Sequence, residues 1–341
     1  MNYVNRRTFL KTSGVVGGAS LTGVAGCLGG GGGGGTPTIN VGYVVPIENM
    51  ISLMGIDEIK SQLDNVGDAY ELNLSRYSST PDILNSMAAG ELNVGLPAYA
   101  SFPGAINGNA VPNGMTAVVS GFYDAEPDYF AIPVLSMEDS GIQNPEDLDG
   151  AKIGVNATGT GVHAIIYRML QKVGIDSEND VDFVEIGFPA MGSALREGKI
   201  DAGIFVSTFG NAERNKGGVQ TVFDSQDAWE QPYPFTFLVA KNDFIDENED
   251  GLRAWIADYV QMINYSYDNR DTVVSLASEE FDVPEALLSS FYLTQDDYYR
   301  PKDGHLDVDA LQHTTDALTE MGFLEKSPTM SDYVTNEYLP E

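Results

Sequence analysis

The sequence predicts an α/β fold in which two doubly wound lobes are joined by a hinge of two chain crossings and completed by a helical C-terminal segment. Three observations lead to this prediction. Short apolar runs alternate with helical patterns between residues 39 and 223, as in mostly parallel sheets that are covered by helices. Two distant segments share one sequence pattern, and helical patterns dominate after residue 244.

The first lobe is predicted from residues 36–125 plus 235–341. Thr80, Pro81 and Asp82 have the properties of an N-cap, a first-turn proline and a first-turn acid, which together predict the start of a helix. Gly90 is a natural end for that helix. The other elements predicted for this lobe are strands at residues 39–45, 72–74, 92–96, 115–122 and 234–240, and helices at residues 58–66 and from Ala98.

The second lobe is predicted from residues 126–234. The segment REGKIDAGIFVSTF, which starts at Arg196, lines up with AAGELNVGLPAYAS, which starts at Ala88 in the first lobe. This likeness indicates two related lobes, and the general similarity of α/β units is the alternative. The crossings are expected near residues 124–131 and 224–235. The predicted elements are strands at residues 151–155, 181–186 and 201–206, and helices at residues 161–173, at residues 191–197 and from Ser207.

The N-terminal segment is typical of an export signal. Arg6, Arg7 and Lys11 precede a weakly apolar stretch at residues 14–25, and this order of charge and apolarity is that of a signal peptide. The letters RRTFLK resemble the twin-arginine motif. Residues 1–26 are therefore predicted to be a twin-arginine signal peptide. The alternative, an ordinary helix, is disfavoured by the glycines of this stretch.

Cys27 is the only cysteine of the chain, so a disulfide within the chain is excluded. The letters VAGC at residues 24–27 resemble the lipobox of prokaryotic lipoproteins, with a free surface thiol as the alternative. Residues 27–35 are predicted to be a lipidated cysteine and a flexible glycine tether. We therefore expect a lipid on Cys27 to anchor the protein to the outer face of the cell membrane.

The chain is strongly acidic, with 50 Asp and Glu residues against 18 Lys and Arg residues and a net charge of −32. This balance argues against a nucleic-acid partner, because phosphates require basic side chains. The 43% hydrophobic content is sufficient for a folded core. A folded, acidic, lysine-poor chain resembles the proteins of salt-loving archaea, where concentrated salt screens self-repulsion. A protein adapted to low pH is the alternative.

Residues 140–176 carry a resemblance to a known family. Their phrase DLDGAKIGV and the hydroxyl-rich NATGTG resemble the periplasmic-binding-protein type II fold. The similar branch is that of ABC-transporter solute-binding proteins for sulfonates, taurine, nitrate and thiamine precursors. The segments LNSMAAGELNVGL and LREGKIDAGIF, and the C-terminal LQHTTDALTEMGFLE, resemble it too.

The resemblance implies a monomer that captures a small molecule between its lobes and delivers it to the permease and ATPase of an ABC importer. It implies no catalytic residue, cofactor or metal. The chain departs from the family pattern at PIENMISLMGIDEI, which follows the first predicted strand, and at Val206, Ser207 and Thr208. Because both places tend to line the cleft in the family, the identity of the ligand does not carry over.

The loop NATGTG at residues 156–161 is the first candidate binding element. It follows a predicted strand and opens a helix, so its free backbone N–H groups and the hydroxyls of Thr158 and Thr160 suit an anionic or polar ligand. Gly161 would let the ligand approach the backbone. The alternatives are that a threonine only caps the helix, or that G-x-G-x-x-A, ending at Ala164, binds a dinucleotide.

Aromatic residues near the predicted strand ends form the second candidate group. Tyr43, Tyr99, Phe122 and Tyr123 would form the wall of a ligand pocket, with ordinary core packing as the alternative. Arg76 is the only basic residue in these zones, which favours a monoanion or a neutral ring. The remaining candidates stand where helices are predicted to begin: Ala98, Ser207 and Thr208.

No catalytic or metal site is predicted. His163, His305 and His313 are the only histidines, and their spacing is not that of a metal site. Two other functions stay open. One is an enzyme of the pyrimidine-precursor type on the same fold, for which His163 is the one candidate in the cleft. The other is a lipoprotein that senses a solute for a membrane receptor.

Overall fold

Two five-stranded mixed sheets organise the protein, whose computed structural model describes residues 36–341. The strands are β1 (Thr38–Tyr43), β2 (Glu71–Arg76), β3 (Val94–Gly95), β4 (Met115–Asp124), β5 (Pro133–Met137), β6 (Lys152–Val155), β7 (Asp182–Glu185), β8 (Ala202–Ile204), β9 (Val219–Asp224) and β10 (Tyr233–Lys241). The helices are α1 (Asp57–Lys60), α2 (Thr80–Ala88), α3 (Ser101–Asn107), α4 (Gly161–Val173), α5 (Phe188–Arg196), α6 (Ser207–Lys216), α7 (Ser225–Ala228), α8 (Asn242–Asp268), α9 (Arg270–Phe281), α10 (Glu285–Phe291) and α11 (Val308–Glu320). Short 3-10 helices lie at Met50–Gly55, Pro145–Leu148 and Met330–Asp332.

Both sheets have the same arrangement, with one antiparallel strand in each. The first sheet has the order β2-β1-β3-β10-β4, and the second has the order β7-β6-β8-β5-β9. β10 is antiparallel to its neighbours β3 and β4, and β5 is antiparallel to β8 and β9. The other pairs are parallel. The predicted α/β fold is therefore confirmed. In each sheet the antiparallel strand is the first strand that follows the crossing from the other sheet.

The two crossings between the sheets meet at the buried carboxyl group of Asp124, the last residue of β4. The Ser225 hydroxyl donates a hydrogen bond to Asp124 Oδ1 at 2.7 Å, and the Tyr233 hydroxyl donates to Oδ2 at 3.0 Å. Burial raises the pKa of Asp124 to about 6. Because Ser225 opens α7 and Tyr233 opens β10, this carboxyl joins both crossing segments.

The strands divide between the sheets along the chain. The first sheet takes its strands from residues 38–124 and 233–241, and the second takes them from residues 133–224. The lobe boundaries at residues 125/126 and 234/235 stay a prediction. Helix α8 contacts strands β4 and β10 of the first sheet, and its buried residues include Trp255, Tyr259 and Ile263, which recur every four positions. None of the helices within residues 36–341 combines the length and apolarity needed to cross a membrane.

Three local predictions differ from the structure. The helix predicted at residues 58–66 is the single turn α1, because the N–H groups of Asp64 and Asn65 instead donate to the buried Asp258 carboxylate, each at 3.2 Å. Helix α2 is capped by Ser79, one residue before Thr80, and the Ser79 hydroxyl accepts from the Asp82 N–H. Strands β5 and β9 were not predicted.

Candidate ligand-binding site

A cavity of about 50 Å³ lies between the two sheets. Since about 10–15 Å³ of such space is enough for one water molecule, the cavity has room for a small solute. The first-sheet side is lined by Val44, Val45, Glu48, Asn49, Thr80, Leu96, Ala98, Phe122, Phe235 and Thr236. The second-sheet side is lined by Asn156, Thr160, Gly161, Val162, Phe188 and Val206.

Helix N-termini converge on this cavity. Thr80, Gly161 and Phe188 are the first residues of α2, α4 and α5, and Val206 is the N-cap of α6. These helices follow strands whose carboxyl ends point toward the same space, as at the switch point of an open α/β sheet. Short strands followed by small or hydroxyl residues therefore place the helix starts around a potential ligand.

Thr160 both caps α4 and lines the cavity. Its hydroxyl accepts a hydrogen bond from the His163 N–H at 3.4 Å and donates to the Ala157 carbonyl at 2.8 Å. The nearby Thr158 is exposed, and its N–H and hydroxyl both donate to Glu185 Oε1 at 2.8 Å. These hydrogen bonds lower the pKa of Glu185. Thr158 is thus engaged away from the cavity.

Gly161 is the point of closest approach between the two sides. An added Cβ at this position would lie 2.9 Å from Ala98 Cβ and 3.1 Å from Phe235 Cζ. The Tyr99 hydroxyl donates to the Gly161 carbonyl at 3.1 Å. Glycine is required here because only a residue without a side chain leaves room for this contact across the cleft.

Glu48 bridges the two sides through its buried carboxyl group. Its Oε1 accepts a hydrogen bond from the Thr208 N–H at 2.9 Å, and only 2% of Glu48 is exposed. The neighbouring Ser207 N–H donates to the Tyr298 hydroxyl at 3.1 Å. Burial raises the pKa of Glu48 to about 7. The first backbone donors of α6 are thus occupied by groups of the protein itself.

A buried ion pair lies next to Glu48. Arg300 Nη1 donates to Asp297 Oδ2 at 2.7 Å, and both side chains are fully buried. Arg300 Nη2 reaches the Glu48 carbonyl at 3.4 Å. Arg300 therefore holds the backbone of the loop after β1, while Asp297 neutralises the guanidinium charge.

The predicted aromatic residues occupy different places. Phe122 lines the cavity and stacks on Tyr298 with ring centroids 4.0 Å apart. Tyr99 is fully buried beside the cavity and packs on Tyr233 at 4.6 Å. Tyr123 lines a separate open groove of about 770 Å³ and accepts a hydrogen bond from the Asp307 N–H. Tyr43 is half-buried and does not line the cavity.

The structure brings together part of the predicted set. Ala98, Phe122, Thr160 and Gly161 line the cavity. Ser207 and Thr208 border it through their bonds to Tyr298 and Glu48. Tyr43, Tyr99, Tyr123 and Thr158 lie outside its lining. Ligand contact by any of the predicted residues stays a prediction.

Sequence reasoning missed several polar residues of the cavity wall. Glu48 lies in the loop PIENM, which was recognised only as a departure from the family pattern. Thr80 was interpreted as a helix cap, although its hydroxyl is buried without a partner among the described residues. The other polar residues that were missed are Asn49 and Thr236, whereas Asn156 belongs to the predicted loop NATGTG.

Within the described residues, the only side chain of the cavity lining that can carry a charge is acidic. Glu48 is the only ionisable residue in its lining, and neither Lys nor Arg lines it within residues 36–341. Over the same residues there is no group of three His, Cys, Asp or Glu side chains that could hold a metal ion. His163 lies outside the cavity lining, and its Nδ1 accepts the Gly159 N–H at 3.1 Å. Burial lowers the pKa of His163 to about 4.

Two family models match parts of the chain. The model described as NMT1/THI5 like matches residues 129–272, and the model of the twin-arginine translocation pathway signal sequence matches residues 4–23. The second match confirms the predicted export signal and indicates an extracytoplasmic location. A search of curated proteins found no match.

Solved structures with low sequence identity share the architecture. The periplasmic aliphatic sulphonate binding protein SsuA from Escherichia coli is 18% identical, with 88% of this chain and 92% of that chain covered and a TM-score of 0.67. The alkanesulfonate-binding protein SsuA from Xanthomonas axonopodis pv. citri, bound to MOPS, is 16% identical, with 88% and 98% covered and a TM-score of 0.71. The fold is that of the periplasmic binding proteins. The periplasmic nitrate-binding protein NrtA from Synechocystis PCC 6803 has it too, at 12% identity, 88% and 86% coverage and a TM-score of 0.69.

The periplasmic-binding-protein fold and the NMT1/THI5-like match confirm the resemblance drawn from residues 140–176. At these identities the likeness to solved structures concerns the fold alone. An origin in salt-loving archaea stays a prediction. The lipid on Cys27 also stays a prediction, and this residue lies outside the described residues.

Proposed function

We propose that this chain is an extracytoplasmic solute-binding protein that captures a small molecule in the cavity between its two sheets and delivers it to the permease and ATPase of an ABC importer. The main observation in support of this proposal is the pair of buried hydroxyls of Thr80 and Thr236. Both line the cavity, and neither has a hydrogen-bond partner within residues 36–341. Buried polar groups are normally hydrogen-bonded, so a bound solute supplies the missing partners.

Closure around the solute is the proposed mechanism. Contacts across the cleft connect Glu48 with Thr208, Tyr298 with Ser207 and Tyr99 with Gly161. A solute that contacts both sides stabilises the closed arrangement in proportion to its preference for that state. The segment around Asp124 serves as the hinge, because both crossings pass there.

From the family resemblance, we propose four candidate solutes for this cavity: a sulfonate, nitrate, taurine or a pyrimidine-like ring. The sulphonate- and nitrate-binding relatives support the first two by their names. The anchor is proposed to be a lipid on Cys27, which holds a monomer at the outer face of the membrane. A solute-sensing lipoprotein uses the same cleft and differs only in its membrane partner.

An enzyme of the pyrimidine-precursor type is the second candidate, and the geometry of His163 argues against it. This histidine is neutral at physiological pH because burial lowers its pKa to about 4. Its Nδ1 is occupied by the Gly159 N–H, and the ring packs on Phe183 with centroids 4.5 Å apart. A general base requires access to the substrate, whereas this ring is directed into packing.

The first test is a solute screen by thermal shift, followed by affinity measurement on variants. At least one small solute is expected to raise the melting temperature of the protein. Thr160→Val is expected to weaken its binding by about 1–3 kcal/mol, because the variant removes a polar group from the cavity wall. Glu249→Ala, on the exposed part of α8, is the control and leaves the affinity unchanged. Equal affinities of the two variants would place the site elsewhere.

A further inference from the structure

We propose that Glu48 makes the cleft selective for a small solute with a protonated nitrogen and closes it to oxyanions such as sulfonate and nitrate. This inference rests on the proposed function and names the solute class. It departs from the sulphonate- and nitrate-binding names of the structural relatives.

The first step concerns the start of α6. Free N–H groups at a helix N-terminus are a common binding place for anions. Here the Glu48 carboxyl accepts the Thr208 N–H at 2.9 Å, and the Tyr298 hydroxyl accepts the Ser207 N–H at 3.1 Å. The protein thus fills with its own carboxyl the position that a bound oxyanion would take.

The second step concerns the missing cation. The guanidinium of Arg300 is paired with Asp297 at 2.7 Å, and its hydrogen bond to Glu48 goes to the backbone carbonyl at 3.4 Å. No Lys or Arg side chain lines the cavity within the described part of the chain. An oxyanion would lie against a carboxyl group that already occupies the start of α6 and would find no compensating cation, and burial of an unpaired charge is strongly unfavourable.

The third step concerns the unpartnered hydroxyls. Thr80 and Thr236 are 8% and 6% exposed, and their Oγ1 atoms lack partners within residues 36–341. They line the same cavity as Glu48. A hydroxyl group both donates and accepts hydrogen bonds. Beside the Glu48 carboxyl, the accepting oxygens of these two hydroxyls suit the N–H groups of a solute.

The apolar part of the wall fits the same solute class. Phe122, Phe188 and Phe235 line the cavity, and Phe122 stacks on Phe235 with ring centroids 5.3 Å apart. Aromatic faces attract cations and also pack against flat rings. A small ammonium or guanidinium compound satisfies both the carboxylate and these faces.

The number of protons released on binding tests the role of Glu48 on the natural protein, without a variant. Burial raises the pKa of Glu48 to about 7, and the charged or titratable groups facing it are Asp297, Arg300 and the Tyr298 hydroxyl. A bound cation favours the ionised carboxyl and lowers its pKa. Binding near pH 6.5 is therefore expected to release a fraction of a proton, and binding near pH 9 none.

The experiment compares two sets of probes by calorimetry on the full exported protein. Ethylammonium and guanidinium form the nitrogen set, and methanesulfonate and nitrate form the oxyanion set. At least one nitrogen probe is expected to bind with proton release near pH 6.5, and neither oxyanion is expected to bind. Glu48→Gln is expected to weaken the nitrogen probe at least about tenfold, whereas Glu249→Gln has no effect.

The outcomes separate the two claims. Binding of methanesulfonate or nitrate to the protein, unaffected by Glu48→Gln, overturns the selectivity and leaves the proposed function standing. Binding of a nitrogen probe without proton release near pH 6.5 also overturns the role of Glu48. Should no probe of either set bind, the selectivity and the proposed function both fail.

Discussion

At the scale of the residue, Glu48 is the side chain with the most unusual environment in the cleft. Its carboxyl is buried, and one backbone N–H from Thr208 donates to it at 2.9 Å. The Asp297 carboxylate nearby disfavours the ionised form, and Arg300 opposes this only in part. Burial of a partly compensated charge reduces stability, so the state of this residue should be visible in the pH dependence of folding.

The variant Glu48→Gln tests this effect. Because burial raises the folded-state pKa of Glu48 to about 7, above its ordinary value of 4.5, the neutral form stabilises the fold. That contribution is present below about pH 4.5 and is lost as the pH rises through 7. The free energy of unfolding of Glu48→Gln, relative to the natural protein, is therefore expected to rise by on the order of 3 kcal/mol between these limits.

Denaturant unfolding at a series of pH values provides the measurement. Glu249→Gln is the matched control, because Glu249 is exposed on α8. Its difference from the natural protein is expected to stay flat over the same range. Parallel curves for Glu48→Gln and the natural protein would contradict the account of this carboxyl.

At the scale of the element, local signals allow prediction and distant contacts do not. Helix α4 has the predicted bounds because Thr160 caps its start and Gly174, at φ 79°, ends it. Helix α1 is shorter than predicted because Asp258, far along the chain, takes the N–H groups of residues 64 and 65. Glu48 was not predicted as a site residue for the same reason, because Thr208, which donates a hydrogen bond to its carboxyl, is 160 residues away.

The close approach of α4 to the first sheet gives a prediction at this scale. Gly161→Ala would place a Cβ 2.9 Å from Ala98 Cβ, so the cleft closes less tightly. A solute that binds the closed form is expected to lose about 1–3 kcal/mol of affinity, which is the typical cost of overpacking. Gly187→Ala at the start of α5 is the control, because its nearest contact, Pro189 Cδ, is an ordinary 3.9 Å away.

Calorimetric titration of both glycine variants with one bound solute checks this expectation. Equal affinities for Gly161→Ala and Gly187→Ala would mean that the contact between α4 and Ala98 is not part of the binding-competent state. The outcome also bears on Tyr99, whose hydroxyl donates to the same Gly161. If Gly161→Ala weakens binding, the hydrogen bond from Tyr99 to Gly161 belongs to the binding-competent state as well.

At the scale of the whole molecule, the two sheets repeat one strand order and exchange one strand each. The alternation of strands and helices and the repeated segments made this architecture predictable from the sequence. The antiparallel strand β5 was not predicted, because its five residues show no alternation of apolar and polar positions. The polar composition of the cavity was equally hidden, since it arises only when the two sheets face each other.

The central claim is that a solute is captured by closure of the two sheets about the segment at Asp124. Small-angle X-ray scattering of the protein with and without its tightest-binding solute tests this claim most directly. Because the solute contacts both sides of the cavity, the account predicts a smaller radius of gyration when the solute is bound. An unchanged scattering curve at saturating solute would contradict capture by closure.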